Sequence, residues 1–314
     1  MRAFVIRDFE QPGAVEQVDT PHAGDNEVLV RVHTAGVNPM DNAIATGATR
    51  AWSETRVPTI PGIDAAGTVE AVGADVKGFA PGDAVIANAF DKGFWGEGTF
   101  AELVVVPAGS VFLKPADLDD VQAATVGLPG LTALSGIDVL DIKKGSNVVV
   151  IGATGGVGSW FTQLAADRGA NVVGVTRREN ADYALSLGCN DVVISDAAVV
   201  DDLRTKFPDG IDAIADFSGN TELIDSVAEL LKTDGKVGTS GARLDAEAYA
   251  ARGITAVQIN RAPVERMPEL LNLLSSGRIK TPAAKVVPLE KAGDAVSGVA
   301  ERHTRGKVVV RVSE

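Results

Sequence analysis

The stretch NVVVIGATGGVGSWFTQLA, residues 147–165, limits the possible fold more than any other part of the chain. An apolar run enters a cluster of glycines and leaves as an amphipathic helix closed by Gly169. A strand with no polar alternation is buried on both faces and needs helices above and below it. The glycines allow a tight turn and leave backbone N–H groups unobstructed by Cβ atoms, the condition for holding a diphosphate at a helix N-terminus. Further apolar strands follow: NVVGVTR (171–177), DVVIS (191–195), IDAIADFSG (211–219), KVGTSG (236–241) and GITAVQI (253–259). Helices are expected between them over ENADYALSLG (179–188) and near 199–206 and 220–232. This alternation predicts a doubly wound parallel sheet of the α/β class.

The residues on either side read differently. From 1 to about 120, alternating runs such as NEVLVRVHTAGVN (26–38), GTVEAVG (67–73) and GTFAELVVVP (98–107) are separated by glycine and proline. That spacing predicts a compact β domain, barrel-like or sandwich-like. Residues 119–138 read as helices. Two helical stretches follow residue 263, and the chain closes on a strand, KVVVRV (307–312), expected to return to the N-terminal domain. The expected division is therefore 1–120 with 264–314, and an inserted nucleotide-binding domain over 121–263.

A net charge of −13 opposes nucleic acid and anionic membranes as partners. The single cysteine, Cys189, excludes an internal disulfide and a thiolate zinc cage, which fits a reducing cytoplasm. The N-terminus alternates like a strand and has no signal-peptide pattern. There is no apolar run of about 20 residues of the kind that spans a bilayer.

The glycine fingerprint G-x-G-x-x-G occurs here with alanine first: Ala153, Gly155 and Gly158. Thr154, Gly156 and Val157 complete the expected coenzyme cradle. In NAD-binding sheets an acidic residue about 20 positions further on holds the ribose 2′-hydroxyl. That place falls here at Thr176, Arg177 and Arg178, with no carboxylate. A carboxylate would repel a 2′-phosphate, whereas arginine pairs with it, so the two arginines read as a clamp for NADPH. One charge-assisted bond of about 1.5–3 kcal/mol would favour NADPH by roughly 10- to 150-fold. The loop NAFDKGFWGEG (88–98) sets Phe94 and Trp95 among glycines, as an aromatic wall for a flat acceptor. Neither tyrosine, Tyr183 or Tyr249, and none of the histidines stands out as an acid, so the proton is expected from water.

VLVRVHTAGVNPMD (28–41), PGIDAAGTVEAVG (61–73), PGDAVI (81–86), GLTAL (130–134), GATGGVGSWFTQLA (152–165) and RGKVVVRV (305–312) together resemble the medium-chain dehydrogenase/reductase superfamily. Within it, they resemble the zinc-free, zeta-crystallin-like quinone oxidoreductase branch. The resemblance implies a Rossmann domain inserted in a GroES-like β-barrel domain, with the active site in the cleft between them. Zinc-dependent members carry cysteine at the position of Asn38 and a His–Glu pair at those of Ile63 and Asp64, so no metal is expected. Hydride transfer from NADPH to a quinone or an α,β-unsaturated carbonyl follows from the same resemblance. It places Asn38 near nicotinamide and substrate, Thr132 against the nicotinamide, Asp41 in the substrate pocket, and Ser218 and Gly241 on the coenzyme. It also implies a homodimer, with 253–259 as the pairing edge strand. Many NADPH-binding relatives carry lysine at the position of Asn180 and tyrosine near Ser195; their absence either shifts the 2′-phosphate to Arg177 and Arg178 or weakens NADPH selectivity. The rival functions are an enoyl-thioester reductase, a zinc-free alcohol dehydrogenase and a non-catalytic NADPH-binding protein.

Overall fold

The computed structural model describes residues 1–90, 97–300 and 304–313. They form two compact units, one of Met1–Leu128, Pro263–Ser275 and Thr281–Glu314, the other of Pro129–Ala262 and Ser276–Lys280. In the first unit the chain lays down β1 (Arg2–Val5), β2 (Ala14–Gln17) and the long β3 (Glu27–Val37). Helix α1 (Pro39–Ala45) follows, then β4 (Asp64–Val72), β5 (Ala84–Asn88), β6 (Leu103–Pro107), β7 (Val111–Leu113) and the single-turn α2 (Asp120–Ala123). Val28, Val30 and Val32 alternate along β3 and are fully buried, so its period-two pattern puts one face on the core. That core gathers Phe4, Val69, Val85, Phe100, Val104 and Val106 around them.

The second unit takes up the chain in α3 (Gly127–Val139) and β8 (Asn147–Ile151), followed by α4 (Gly156–Asp167), β9 (Asn171–Thr176), α5 (Ala181–Ser186) and β10 (Asp191–Ile194). It continues through α6 (Val199–Lys206), β11 (Ile211–Asp216), α7 (Thr221–Val227), β12 (Leu231–Thr239), α8 (Ala246–Ala250) and β13 (Thr255–Gln258). The strands form one parallel sheet in the order β10-β9-β8-β11-β12-β13. Strand order reverses between β8 and β11, the place where such sheets open a ligand crevice at their C-terminal ends. Helix α7 is shorter than the 220–232 expected, because Leu231 already pairs with Ile211 in the sheet.

The chain then returns to the first unit with α9 (Met267–Ser275), β14 (Ala284–Pro288), α10 (Ala292–Ala300) and β15 (Lys307–Arg311). β15 pairs antiparallel with the second half of β3, while β6 pairs with the first half. β14 runs parallel to β15 at the sheet edge and is mostly exposed, so it lacks the apolar face that marks a strand in sequence. Both domain boundaries differ from those expected. Residues 121–128 stay with the first unit, where Leu128 N donates to Asp64 Oδ1 at 2.8 Å. Residues 276–280 belong to the second, where the Gln163 amide bonds both N and O of Lys280 and Arg278 pairs with Asp167.

Candidate functional site

The glycine loop leaves β8 at Ile151 and turns at Gly152, whose φ of 76° is the left-handed region that favours glycine. The N–H groups of Gly152 and Ala153 donate to Val175 O, tying the turn to the end of β9. A Cβ on Gly158 would lie 2.1 Å from Gly152 O, so close helix–strand packing demands glycine there. Gly155, which caps α4, has ordinary backbone angles, and a Cβ on it would meet nothing closer than 3.4 Å. The protein's own packing does not require glycine at 155, and the open space is what an approaching ligand would need. Ala153 does not open the fingerprint as expected; Gly152 makes the turn, and Ala153 is packed inside against β9. Gly156 and Val157 stay half-exposed beside Gly155.

Thr154 and Thr176 share a hydrogen bond of 2.7 Å between their hydroxyls, both buried. The loop and the last residue of β9 are thus locked together, and the next two residues are Arg177 and Arg178. Both are exposed, and neither side chain makes a hydrogen bond or ion pair among the described residues. They stand at the entry of a helical turn running into α5, where the helix dipole disfavours cations.

Two further loops at the same end of the sheet hang from one carboxylate that the sequence reading did not single out. Asp216, the last residue of β11, is 0 % exposed. Its Oδ1 accepts from Ser218 N and Ser218 Oγ at 2.9 and 2.6 Å, and its Oδ2 from Gly219 N and Thr239 Oγ1 at 2.9 and 2.7 Å. Thr239 Oγ1 in turn accepts from Gly241 N and Ala242 N, each at 3.1 Å. Ser218 and Gly241, expected on the coenzyme, are therefore positioned through Asp216 and Thr239. The available signal was an acidic residue that follows the apolar run 213–215 and stands two residues before Ser218-Gly219.

In the first unit Asn38 and Asp41 are not open to a substrate. Asn38 is 2 % and Asp41 0 % exposed. The Asn38 amide donates to Gly36 O and to Asp64 Oδ2 at 3.3 and 3.0 Å, and its Oδ1 accepts from Lys307 Nζ at 2.7 Å. Asn38 N donates to Asp41 Oδ2, capping α1. Asp64 also accepts from Asn88 Nδ2, and Lys307 also donates to Val37 O. The expected direct contacts give way to a buried scaffold, because β15 returns with Lys307 and takes up the Asn38 oxygen. Burial pushes Asp41 up to about 8 and Asp64 upward, and it pushes Lys307 down. Asp41 Oδ1 is left without a hydrogen-bond partner.

Thr132 is largely buried in α3. Phe94 and Trp95 lie outside the described residues. Tyr249 donates its hydroxyl to Asp225, and burial followed by that bond raises its pKa, so it is a poor acid. Burial lifts the Cys189 thiol to about 12, which keeps it inert. His33 is half-buried with Nδ1 2.7 Å from Asp120 Oδ2. No helix among the described residues is long and apolar enough to cross a membrane.

The alcohol dehydrogenase GroES-like domain family matches residues 24–116, and the family described as zinc-binding dehydrogenase matches residues 156–276. A chloroplast envelope quinone oxidoreductase homolog of Arabidopsis thaliana is 31 % identical over 94 % of this chain and 92 % of its own length. An NADPH-dependent alkenal/one oxidoreductase of the same plant is 30 % identical over 99 % of this chain and 79 % of its own. The crystal structure of an NAD-dependent alcohol dehydrogenase superposes over 100 % of both chains, with a TM-score of 0.91 and 28 % identity. The fold is thus a GroES-like N-terminal domain with a Rossmann-like parallel sheet. Zinc does not fit the residues at 38, 63 and 64. Ile63 offers no donor, and the Asn38 oxygen already holds the Lys307 ammonium, which would repel a dication.

Proposed function

The chain belongs to the medium-chain dehydrogenase/reductase superfamily of oxidoreductases, and on that premise we propose that it is an NADPH-dependent, zinc-free reductase of quinones or α,β-unsaturated carbonyls. The observation that carries this reading is the pair Arg177 and Arg178, exposed and without partners among the described residues, one step beyond the Thr154–Thr176 bond that fixes the glycine loop. Family membership leaves the coenzyme to these arginines, since one relative is named for NADPH and the superposed structure for NAD.

The coenzyme would supply the hydride. Gly155, Gly156 and Val157 would admit its diphosphate to the N-terminus of α4. Arg177 and Arg178 would pair with the 2′-phosphate, with Thr176 beside them and Ser218 and Gly241 on the opposite loops. Thr132 is assigned to the nicotinamide, while Asn38 and Asp41 enter as scaffold. A site without a Lewis acid favours an acceptor that is already polarised, and a quinone or enone oxygen spreads the arriving charge. The chain's contribution is then positioning. With Tyr249 committed to Asp225, the proton is assigned to water. Among the described residues β13 is an edge strand that pairs with β12, which supports a homodimer.

The test is parallel oxidation of NADPH and NADH by metal-free protein, with a quinone and a simple enone. Turnover with NADPH alone is expected. Replacing Arg177 and Arg178 by alanine should raise the NADPH KM by roughly 10- to 150-fold and leave NADH nearly unchanged. Equal losses with both coenzymes would remove the clamp from the reading.

A further inference from the structure

We propose that Asp216 is a positioning residue for the coenzyme site, its carboxylate holding the loops that carry Ser218 and Gly241 in one fixed arrangement. The inference rests on the second unit binding a nicotinamide dinucleotide. In the sheet Asp216 lies level with Ile151, where β8 enters the glycine loop, and with Thr239, where β12 ends. It therefore borders the crevice at the reversal of strand order.

The chemistry of the carboxylate suits this task. Its neighbours present donors alone: two backbone N–H groups and two hydroxyls, with no cation within ion-pair distance among the described residues. A carboxylate accepts from all of them, whereas an asparagine amide would turn N–H toward some of the same donors. A buried anion held by neutral groups is expensive to desolvate, and the four bonds it accepts offset that cost. What the anion adds is a rigid bridge. Ser218 and Gly219 are fixed on one side, and on the other Thr239 passes the constraint to the N–H groups of Gly241 and Ala242. Small changes at the carboxylate thus move both loops together.

The test compares Thr239→Val with Thr239→Ser. Valine keeps the shape and removes the hydroxyl; serine keeps the hydroxyl. NADPH binding is measured by titration, at a temperature where every variant is folded, alongside Tm. Thr239→Val should weaken NADPH binding about tenfold, and Thr239→Ser should restore it to within about threefold, as expected for a bond to a charged group. Asp216→Asn, if folded, should bind more weakly still. A lower Tm for Thr239→Val with unchanged NADPH affinity would reduce Asp216 to a fold-stabilising group and overturn the proposal. Wild-type protein that binds neither NADPH nor NADH would overturn this inference together with the reading beneath it. Binding by wild type and Thr239→Val alike would overturn this one alone.

Discussion

The two units differ in what they leave uncommitted around their candidate residues. Around Asn38, Asp41, Asp64, Asn88 and Lys307 the first unit turns its polar groups inward, and hardly any of their surface meets water. At the C-terminal end of its sheet the second unit leaves groups unspent: room for a Cβ at Gly155, half-exposed Gly156 and Val157 beside it, and two arginines without side-chain partners among the described residues. A side chain whose hydrogen bonds are all committed holds the fold; one with none is available to a ligand. By that measure the residues ready to receive something lie in the second unit, although the family resemblance set Asn38 and Asp41 beside Arg177 as functional.

The largest effect should come from breaking the inward cluster. Lys307→Met keeps the chain length but removes the buried ammonium that faces Asp64 and donates to Asn38 and Val37, a loss of about 3–5 kcal/mol in folding stability by denaturant titration. If its main effect were instead on NADPH affinity, the contrast between the units would fail. Next is pH. The folded protein holds a proton on Asp41 up to about pH 8, against 3.8 for its ordinary value. Stability from that proton is full below the ordinary value and is lost as pH rises toward 8. Asp41→Asn should flatten this decline in denaturant midpoints measured from pH 4 to 8; an unchanged slope would place the proton elsewhere. Gly155→Ala sharpens the other side. It should weaken NADPH binding about tenfold, near 1.4 kcal/mol, with Tm within a few degrees of wild type. Unfolding would show that glycine there serves packing after all. The smallest effect is Tyr249→Phe, expected to cost about 1 kcal/mol of stability and no turnover. Abolished turnover with coenzyme still bound would make Tyr249 the proton donor.

The parallel sheet was legible because its strands are apolar throughout, and a two-faced burial pattern has few other solutions. The arginine pair was legible because it interrupts that pattern at a counted distance from the glycines. β14 was not, since an exposed edge strand carries no period. Nor were the roles of Asp216 and Lys307. Each is one charged residue at a strand end, and its meaning depends on partners that only folding brings near, 23 residues away for Thr239 and 269 for Asn38. Gly152 and Ala153 show the finer limit, because a fingerprint tolerates a shift of one residue while a backbone angle does not.

The position of Lys307 near the end of the chain also sets an order of assembly. On the ribosome, residues 129–262 and 276–280 are complete while β14 and β15 remain unmade, so the second unit can fold as soon as it emerges. The first unit must wait, with the second half of β3 lacking its β15 neighbour and Asp41 and Asp64 still lacking the ammonium they will enclose. Of the two units, the one whose strands are made first is the last to be finished.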